Sequence, residues 1–134
     1  MRRCFLLAVL LTTVLACGGL IDTDQMIADG EAAVAEGEAF GATTSQDGCV
    51  DEGLRRLDAC GDLEVMCQAM NTVWTQACLG SAAPVAGFCD GVPSTDDIME
   101  TATWRTSRCI DEGYAEDTRC QNIVSAIQEH CHPG

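Results

Sequence analysis

The sequence contains no lysine and few aromatic residues. Seven arginines oppose 21 aspartate and glutamate residues, and phenylalanine, tryptophan and tyrosine together make up 4% of the 134 positions. Because binding to nucleic acid requires basic side chains that neutralise phosphates, nucleic acid is excluded as a partner. The shortage of aromatic side chains argues against a large aromatic-lined pocket. The net charge of −14 instead favours a cationic partner or a protein partner whose identity the sequence does not give.

The motifs of familiar catalytic and redox centres are missing as well. The sequence has no Cys-x-x-Cys, Gly-x-Ser-x-Gly or His-Glu-x-x-His motif and no glycine-rich phosphate loop. We therefore predict neither enzymatic activity nor a bound cofactor. An enzyme that relies on isolated carboxylates is a further alternative.

The two histidines form a candidate metal site. His130 and His132 flank Cys131 close to the C-terminus, and imidazole and thiolate are both ligands for transition metals. A disulfide at Cys131 would remove the thiolate ligand, so we predict a solvated helix end without a metal. A metal-binding or thiol-redox protein that uses cysteines together with His130 and His132 is the alternative function.

Residues 1–16 have the composition of a secretory signal peptide. Arg2 and Arg3 precede an apolar run over residues 5–11, and residues 14–17 read VLAC. This block resembles the lipobox of bacterial lipoproteins, in which the cysteine carries a lipid and becomes the first residue after cleavage. The resemblance implies lipidation of Cys17 and attachment to a membrane through that lipid.

The residues that follow Cys17 bear on the destination of the protein. Gly18 and Gly19 follow without an aspartate, which in lipoproteins implies transport to the outer membrane, where the domain would be periplasmic or surface-exposed. An ordinary signal peptide cut after Ala16, and hence a secreted protein, is the alternative. The favoured interpretation is an exported, lipid-anchored cell-envelope protein with a binding or structural role.

The number of cysteines supports lipidation. Cys4 leaves with the signal peptide, so nine cysteines remain, and an odd number leaves one thiol unpaired in an exported protein. Lipidation of Cys17 removes the odd cysteine and leaves an even set for disulfide bonds. The eight cysteines of this set are Cys49, Cys60, Cys67, Cys78, Cys89, Cys109, Cys120 and Cys131.

Residues 17–48 have a different composition from the rest of the mature chain. They contain no cysteine after Cys17 and are rich in alanine, glycine, aspartate and glutamate. We predict a lipid-anchored acidic spacer that holds the domain away from the membrane. A weak helix between Asp24 and Phe40 is the alternative, since Gly30 and Gly37 each cost about 1 kcal/mol in a helix relative to alanine.

The spacing of the cysteines predicts a disulfide-stapled helical domain over residues 49–134. Most steps between them are eleven residues, which on an α-helix places two sulfurs on one face about 16 Å apart. Such a pair cannot bond within its own helix, but it can bond a matching pair on an antiparallel helix. The fold class is therefore all-α, cysteine-rich, with about four helices in two hairpins.

The first hairpin is expected over residues 49–80. Gly61 is placed to end its first helix and Asp62 to cap its second, which has one broad apolar face that includes Leu63, Met66 and Trp74. A loop over 81–94 leads to a second hairpin over 95–132. Eight cysteines allow many pairings. Antiparallel packing favours Cys49 with Cys78, Cys60 with Cys67, Cys109 with Cys120, and Cys89 with Cys131.

This arrangement resembles the twin-cysteine hairpins of coiled-coil-helix-coiled-coil-helix proteins. Those proteins also join two antiparallel helices through two disulfides at fixed spacing. The resemblance covers the plan of the hairpins and implies a similar geometry.

One side chain is a candidate for a contact surface. Trp104 lies off the inward stripe formed by Ile98, Ala102 and Cys109, and it stands beside Arg105 and Arg108. Tryptophan and arginine are enriched where proteins bind one another, so these three side chains form a possible contact surface. Packing of Trp104 under the loop 83–93 is the alternative.

Overall fold

A computed structural model describes residues 22–134, which form five α-helices. Apart from one isolated bridge between Ser45 and Ala83, these residues contain no β-structure. The all-α, disulfide-stapled fold is therefore confirmed. Residues 1–16 and Cys17 lie outside the described residues. The helices are α1 (Thr23–Gly41), α2 (Gln46–Ala59), α3 (Val65–Ser81), α4 (Ile98–Asp111) and α5 (Cys120–Cys131).

Short polar side chains begin three of these helices. Asp22 accepts a hydrogen bond from the backbone N–H of the third residue beyond it at the start of α1, Ser45 does the same for α2 and Asp97 for α4. The predicted cap at Asp62 is wrong. Glu64 precedes α3 instead, and its carboxylate accepts from the Gly61 N–H at 2.7 Å, which closes the turn between α2 and α3.

Four disulfides join the helices. Cys49–Cys78 and Cys60–Cys67 link α2 to α3, with Cα–Cα distances of 5.7 Å in both pairs. Cys109–Cys120 links α4 to α5, and Cys89–Cys131 attaches the loop before α4 to the end of α5. These are the four predicted pairs. In the first hairpin, cysteines three turns apart on one helix meet cysteines three turns apart on its partner, whereas in the second Cys109 bonds the start of α5 and the loop residue Cys89 bonds its end.

The two hairpins share one hydrophobic core. Helix α3 packs against α1, α2 and α5, and α5 in turn packs against α2 and α4. The largest fully buried apolar side chains come from both halves of the chain: Leu57, Trp74, Leu79, Ile123 and Val124. The chain after residue 45 is thus a single folded unit, in which α3 and α5 lie at the centre.

For the segment before Cys49, the alternative interpretation as a helix is the one that the structure supports, and the helix extends one residue beyond Asp24 and one beyond Phe40. Residues Thr23–Gly41 form α1, which packs along α3 through the buried residues Ala33, Gly37 and Gly41. A Cβ on Gly37 would clash with the backbone oxygen of Trp74 and lie 3.0 Å from the Ala77 side chain. The glycine that weakens an isolated helix is therefore what allows the two backbones to approach.

Candidate functional site

The predicted contact surface on α4 faces inward. Trp104 and Arg105 are half-buried, and Trp104 packs against the core near Pro93 in the loop before α4. Ile98 and Ala102, which were expected to point inward, are exposed, Ile98 by 79%. The interpretation of Trp104 as packed under the loop is therefore the one that the structure supports.

Arg105 is held by a buried glutamine. The Gln128 side chain is fully buried, and its Oε1 accepts from Arg105 Nε at 3.0 Å and from Arg105 Nη2 at 2.7 Å. Its Nε2 donates to the Pro93 carbonyl at 2.9 Å and to Thr101 Oγ1 at 3.0 Å. Arg105 thus orders the interior between α4, α5 and the preceding loop, and this network explains why the polar side of α4 faces the core.

We expect the Arg105→Met variant to lose about 2 kcal/mol of unfolding free energy, because Gln128 Oε1 would remain buried without its charged donor. Chemical denaturation of the oxidised protein measures this loss. Arg55→Met, which removes an exposed arginine and its ion pair with Glu52 from α2, is the matched control and should cost less stability than Arg105→Met, because exposed ion pairs contribute little. Equal losses in the two variants would show that Arg105 is not structural.

The Arg108 side chain forms a salt bridge at its end, while its Nε is buried. Its Nη2 lies 2.8 Å from Glu112 Oε1, while its Nε is buried without a hydrogen-bond partner. It also lines a shallow depression of about 260 Å³ together with Asp47 and Asp90. The three side chains predicted to form a contact surface on α4 therefore do not present a common exposed face.

The two histidines are held by different partners. Gln46 Oε1 accepts from the Val85 N–H at 2.8 Å, so its Nε2 is the atom that donates to His130 Nε2 at 2.7 Å. His132 Nε2 bonds to the Val92 carbonyl at 2.8 Å. Cys131 between them is in a disulfide and is not a thiolate. Within residues 22–134, no group of three or more histidine, cysteine, aspartate or glutamate side chains could hold a metal ion.

A concave region of about 570 Å³ lies where the two hairpins meet. It is lined by Asp62, Tyr114, Asp117 and Arg119. Arg119 donates to both Asp117 oxygens and, through Nη1, to the Cys60 carbonyl at 2.6 Å. The Arg119 hydrogen bonds hold the pKa of Asp117 below its ordinary value of 3.8. The charged groups of this region are engaged with one another and tie the start of α5 to the end of α2.

A groove of about 490 Å³ between α1, α2 and α3, here called the α1–α3 groove, is lined by both apolar and charged side chains and is the candidate site. Trp74 lies under it, and the Arg56 guanidinium stacks 4.0 Å above the centre of the indole ring. The Phe40 ring packs 5.3 Å from the same indole. The groove is lined by Asp29, Glu36, Arg55, Arg56, Met66, Met70, Asn71, Trp74 and the Cys60–Cys67 disulfide.

Two buried polar atoms beside the groove have no protein partner. Asn71 donates through Nδ2 to the Gly53 carbonyl at 2.7 Å, but its Oδ1 accepts no hydrogen bond, and Trp74 Nε1 donates none. A buried polar group left unpaired costs about 1–3 kcal/mol, so such atoms are uncommon in folded proteins. The two side chains contribute one unused acceptor and one unused donor to the same region of α3.

Charged side chains stand at the rim of the groove. Arg55 donates to both oxygens of Glu52 at 2.6 Å, and Arg56 adds a bond to the same carboxylate at 3.1 Å. These bonds, with those of Arg55 having the largest effect, hold the pKa of Glu52 below its ordinary value of 4.5. Arg56 also lies 3.6 Å from Glu36 on α1, so it connects the two walls. The two cysteines that line the groove form a disulfide and offer no thiolate for chemistry. The arrangement is therefore suited to binding a ligand.

Stability at low pH should depend on Glu52. Because its pKa is lower in the folded than in the unfolded state, its ion pairs stabilise the fold above about pH 4.5 and are lost as the pH falls through the folded value. In the Glu52→Gln variant, proton uptake on unfolding below that pH should fall by up to about one proton. Denaturation at a series of pH values between 2 and 7 measures the slope, and an unchanged slope would contradict the assignment.

Sequence reasoning did not identify the α1–α3 groove. The prediction of Trp74 as a core residue is confirmed, but periodicity does not indicate a groove beside it, and the helix that forms the opposite wall is only the alternative interpretation of its segment. The adjacent Arg55 and Arg56 on α2 are the one available signal, because arginine is enriched where proteins bind their partners.

Comparison with known proteins identifies no relative of this chain. No protein family, curated protein or solved structure matches it. Function is therefore inferred from the disulfides, the groove and the N-terminal sequence.

Proposed function

We propose that this chain is an exported cell-envelope protein, anchored by a lipid on Cys17, that acts by binding or structural contact and not by catalysis. The observation that carries the proposal is the disulfide inventory: all eight cysteines from Cys49 to Cys131 are paired with one another. Disulfides of this density are typical of exported proteins. Once the signal peptide is removed, Cys17 is the one cysteine left over, and it stands at the lipobox-type sequence 14–17.

The outer membrane is the proposed destination. Gly18 and Gly19 after the lipidated position support it by their resemblance to lipoproteins sent there. Secretion of an unlipidated chain is the alternative. A metal-binding or thiol-redox function would require free thiolates, and in the folded chain the eight candidate sulfurs are in disulfides.

The α1–α3 groove is the proposed binding site. Met66 and Met70 offer an adaptable apolar lining. Arg55, which is 70% exposed and bonded to Glu52 through Nε and Nη2, offers the remaining donor of its guanidinium at the rim. The chemistry fits a small amphipathic molecule with an apolar body and a head group that accepts a hydrogen bond from Arg55.

Metabolic labelling with an alkyne fatty acid tests the anchor. We expect the wild-type protein and a Cys4→Ala control to be labelled and found in the membrane fraction, since Cys4 is removed with the signal peptide. The Cys17→Ala variant should be unlabelled and keep its signal peptide. Labelling of Cys17→Ala, or a wild-type protein that carries no label, would overturn the proposal.

The groove can be tested with an anionic amphipathic dye, 8-anilinonaphthalene-1-sulfonate. We expect saturable binding to the oxidised protein, weakened about tenfold in Arg55→Glu, because the sulfonate loses its cationic partner. Ile98→Glu is the control, since that exposed residue lies on α4, outside the groove lining. Equal binding by Arg55→Glu and the wild-type protein would exclude the groove as the site.

A further inference from the structure

Several large apolar side chains are exposed at one end of the molecule. They are Met26 and Ile27 in the first turns of α1, together with Leu63, Val65 and Met66 at the start of α3; these five residues are here called the apolar end patch. Leu63 is 93% exposed, Val65 72% and Ile27 59%. Leu63 and Met66 were predicted to lie on the packed face of α3, so their exposure is a finding of the structure.

The packing of α1 on α3 brings the two halves of this patch together. Gly37 lies against Trp74 and Cys78, and Gly41, one turn later, lies against Cys78 and Ser81. Both helices thus advance in the same direction. Residues of α1 therefore lie beside residues about 37 to 41 positions later in α3. This offset places Met26 and Ile27 beside the first turn of α3. Asp29 and Met66 line the same groove, which agrees with this register.

The patch stands where the chain continues toward the proposed anchor. Six residue steps separate Cys17 from the first residue of α1. Even a fully extended chain of that length reaches only about 20 Å, which is less than the length of α1. A lipid on Cys17 would therefore hold this end of the domain close to the bilayer and the far ends of α1 and α3 away from it.

We propose that the apolar end patch is a membrane-contacting surface, seated on the bilayer that holds the lipid of Cys17. This inference rests on the proposed lipidation. Clustered exposed apolar side chains mark interaction sites in soluble domains. A short tether holds this end of the domain next to the bilayer, so the patch meets lipid more often than it meets any free partner. The patch then orients the domain, with the α1–α3 groove beside the membrane because Met66 belongs to both.

The acidic side chains around the patch determine which lipid headgroups it can approach. Asp22, Asp24, Asp62 and Glu64 lie within a few residues of it and are exposed. These carboxylates are repelled by anionic headgroups within a Debye length, about 8 Å at physiological salt. Zwitterionic headgroups, whose ammonium groups can pair with carboxylates, are the surface that this end fits.

Cys17 itself supplies a way to test the proposal. Because the other cysteines of residues 17–134 are in disulfides, the thiol of Cys17 in the unlipidated oxidised chain can be coupled to a maleimide phospholipid. The vesicles contain phosphatidylethanolamine and phosphatidylcholine with brominated acyl chains, which quench nearby indoles. Leu63→Trp reports on the patch. Ile98→Trp, at a position on α4 that is 79% exposed, is the matched control.

We expect brominated lipid to quench the added indole of Leu63→Trp at least about threefold more than that of Ile98→Trp. Replacing about a third of the lipid by phosphatidylglycerol should reduce the difference at low salt and restore it at high salt. Equal quenching in the two variants would overturn the membrane-contacting surface even if fatty-acid labelling confirms Cys17. Selective quenching of Leu63→Trp in coupled chains, alongside a failure of labelling in cells, would support the surface and reject the proposed anchor.

Discussion

The Gly37→Ala variant is expected to lose about 3 kcal/mol of unfolding free energy, since an added methyl group would overlap the backbone of α3. A Cβ at this position meets the Trp74 carbonyl oxygen and the Cys78 nitrogen, neither of which can move without shifting the helix. Separation of α1 from α3 would also uncover Trp74, whose ring packs against Phe40. Thermal and chemical denaturation of the oxidised protein measure the loss.

Gly30→Ala provides the matched control for this prediction. Gly30 lies on the same helix, and a Cβ there has no atom within 4 Å. Alanine should therefore raise stability by about 1 kcal/mol through its better helix propensity alone. Opposite signs for the two variants would show that α1 is packed through Gly37. Stabilisation by both would mean that α1 does not pack on α3 as described.

Removing the Cys49–Cys78 disulfide is expected to cost about 4 kcal/mol, because this bond closes a long loop in the unfolded chain. The two cysteines are 29 residues apart in sequence, and both are fully buried. The Cys49→Ala/Cys78→Ala variant loses unfolding free energy for two reasons: the unfolded chain is no longer cross-linked, and the buried contacts of the two sulfurs are gone. Urea denaturation against the oxidised wild-type protein measures the difference.

The Cys60–Cys67 pair is the control for loop length and burial. Its sequence separation is 7, and Cys67 is exposed. The corresponding double alanine variant should lose only about 2.5 kcal/mol on the same chain-entropy basis. Under graded reductant, Cys60–Cys67 should also open first, since a thiolate can reach it. A larger loss for Cys60–Cys67 than for Cys49–Cys78 would contradict the assigned roles of the two bonds.

The disulfide plan could be predicted from sequence because it depends on one local rule. Eleven residues make about three helical turns, so cysteines at that spacing share a face, and two such helices can meet only in register. The pairs Cys49–Cys78 and Cys60–Cys67 follow from that rule together with a short turn at Gly61. No knowledge of the rest of the core is needed, which is why the prediction succeeded.

The packing of the first helix on α3 could not be predicted in the same way. Gly30 and Gly37 carry the same helix penalty in sequence, yet a Cβ at Gly30 would have no atom within 4 Å, whereas Gly37 lies against the α3 backbone. The difference arises from tertiary contact with residues nearly forty positions later in the chain, beyond the range of any local pattern. The α1–α3 groove was missed for the same reason, because one of its walls is this helix.

The prediction of which face of α4 points inward was wrong for a different physical reason. Apolar periodicity placed Ile98 and Ala102 inward, whereas the structure turns Trp104 and Arg105 toward the core. The buried side chain that determines this orientation is polar: Gln128 satisfies its amide through Arg105 and the Pro93 carbonyl. A hydrophobic pattern cannot reveal a buried hydrogen-bond network, since each polar member has the appearance of a surface residue.

The intact mass of the protein extracted from its native membrane, before and after reduction and alkylation, tests the account most directly. The proposal predicts a chain that begins at Cys17, carries a lipid and reacts with alkylating reagent at eight sites only after reduction. A chain without lipid, or one in which any of the eight cysteines from Cys49 to Cys131 reacts before reduction, would contradict it.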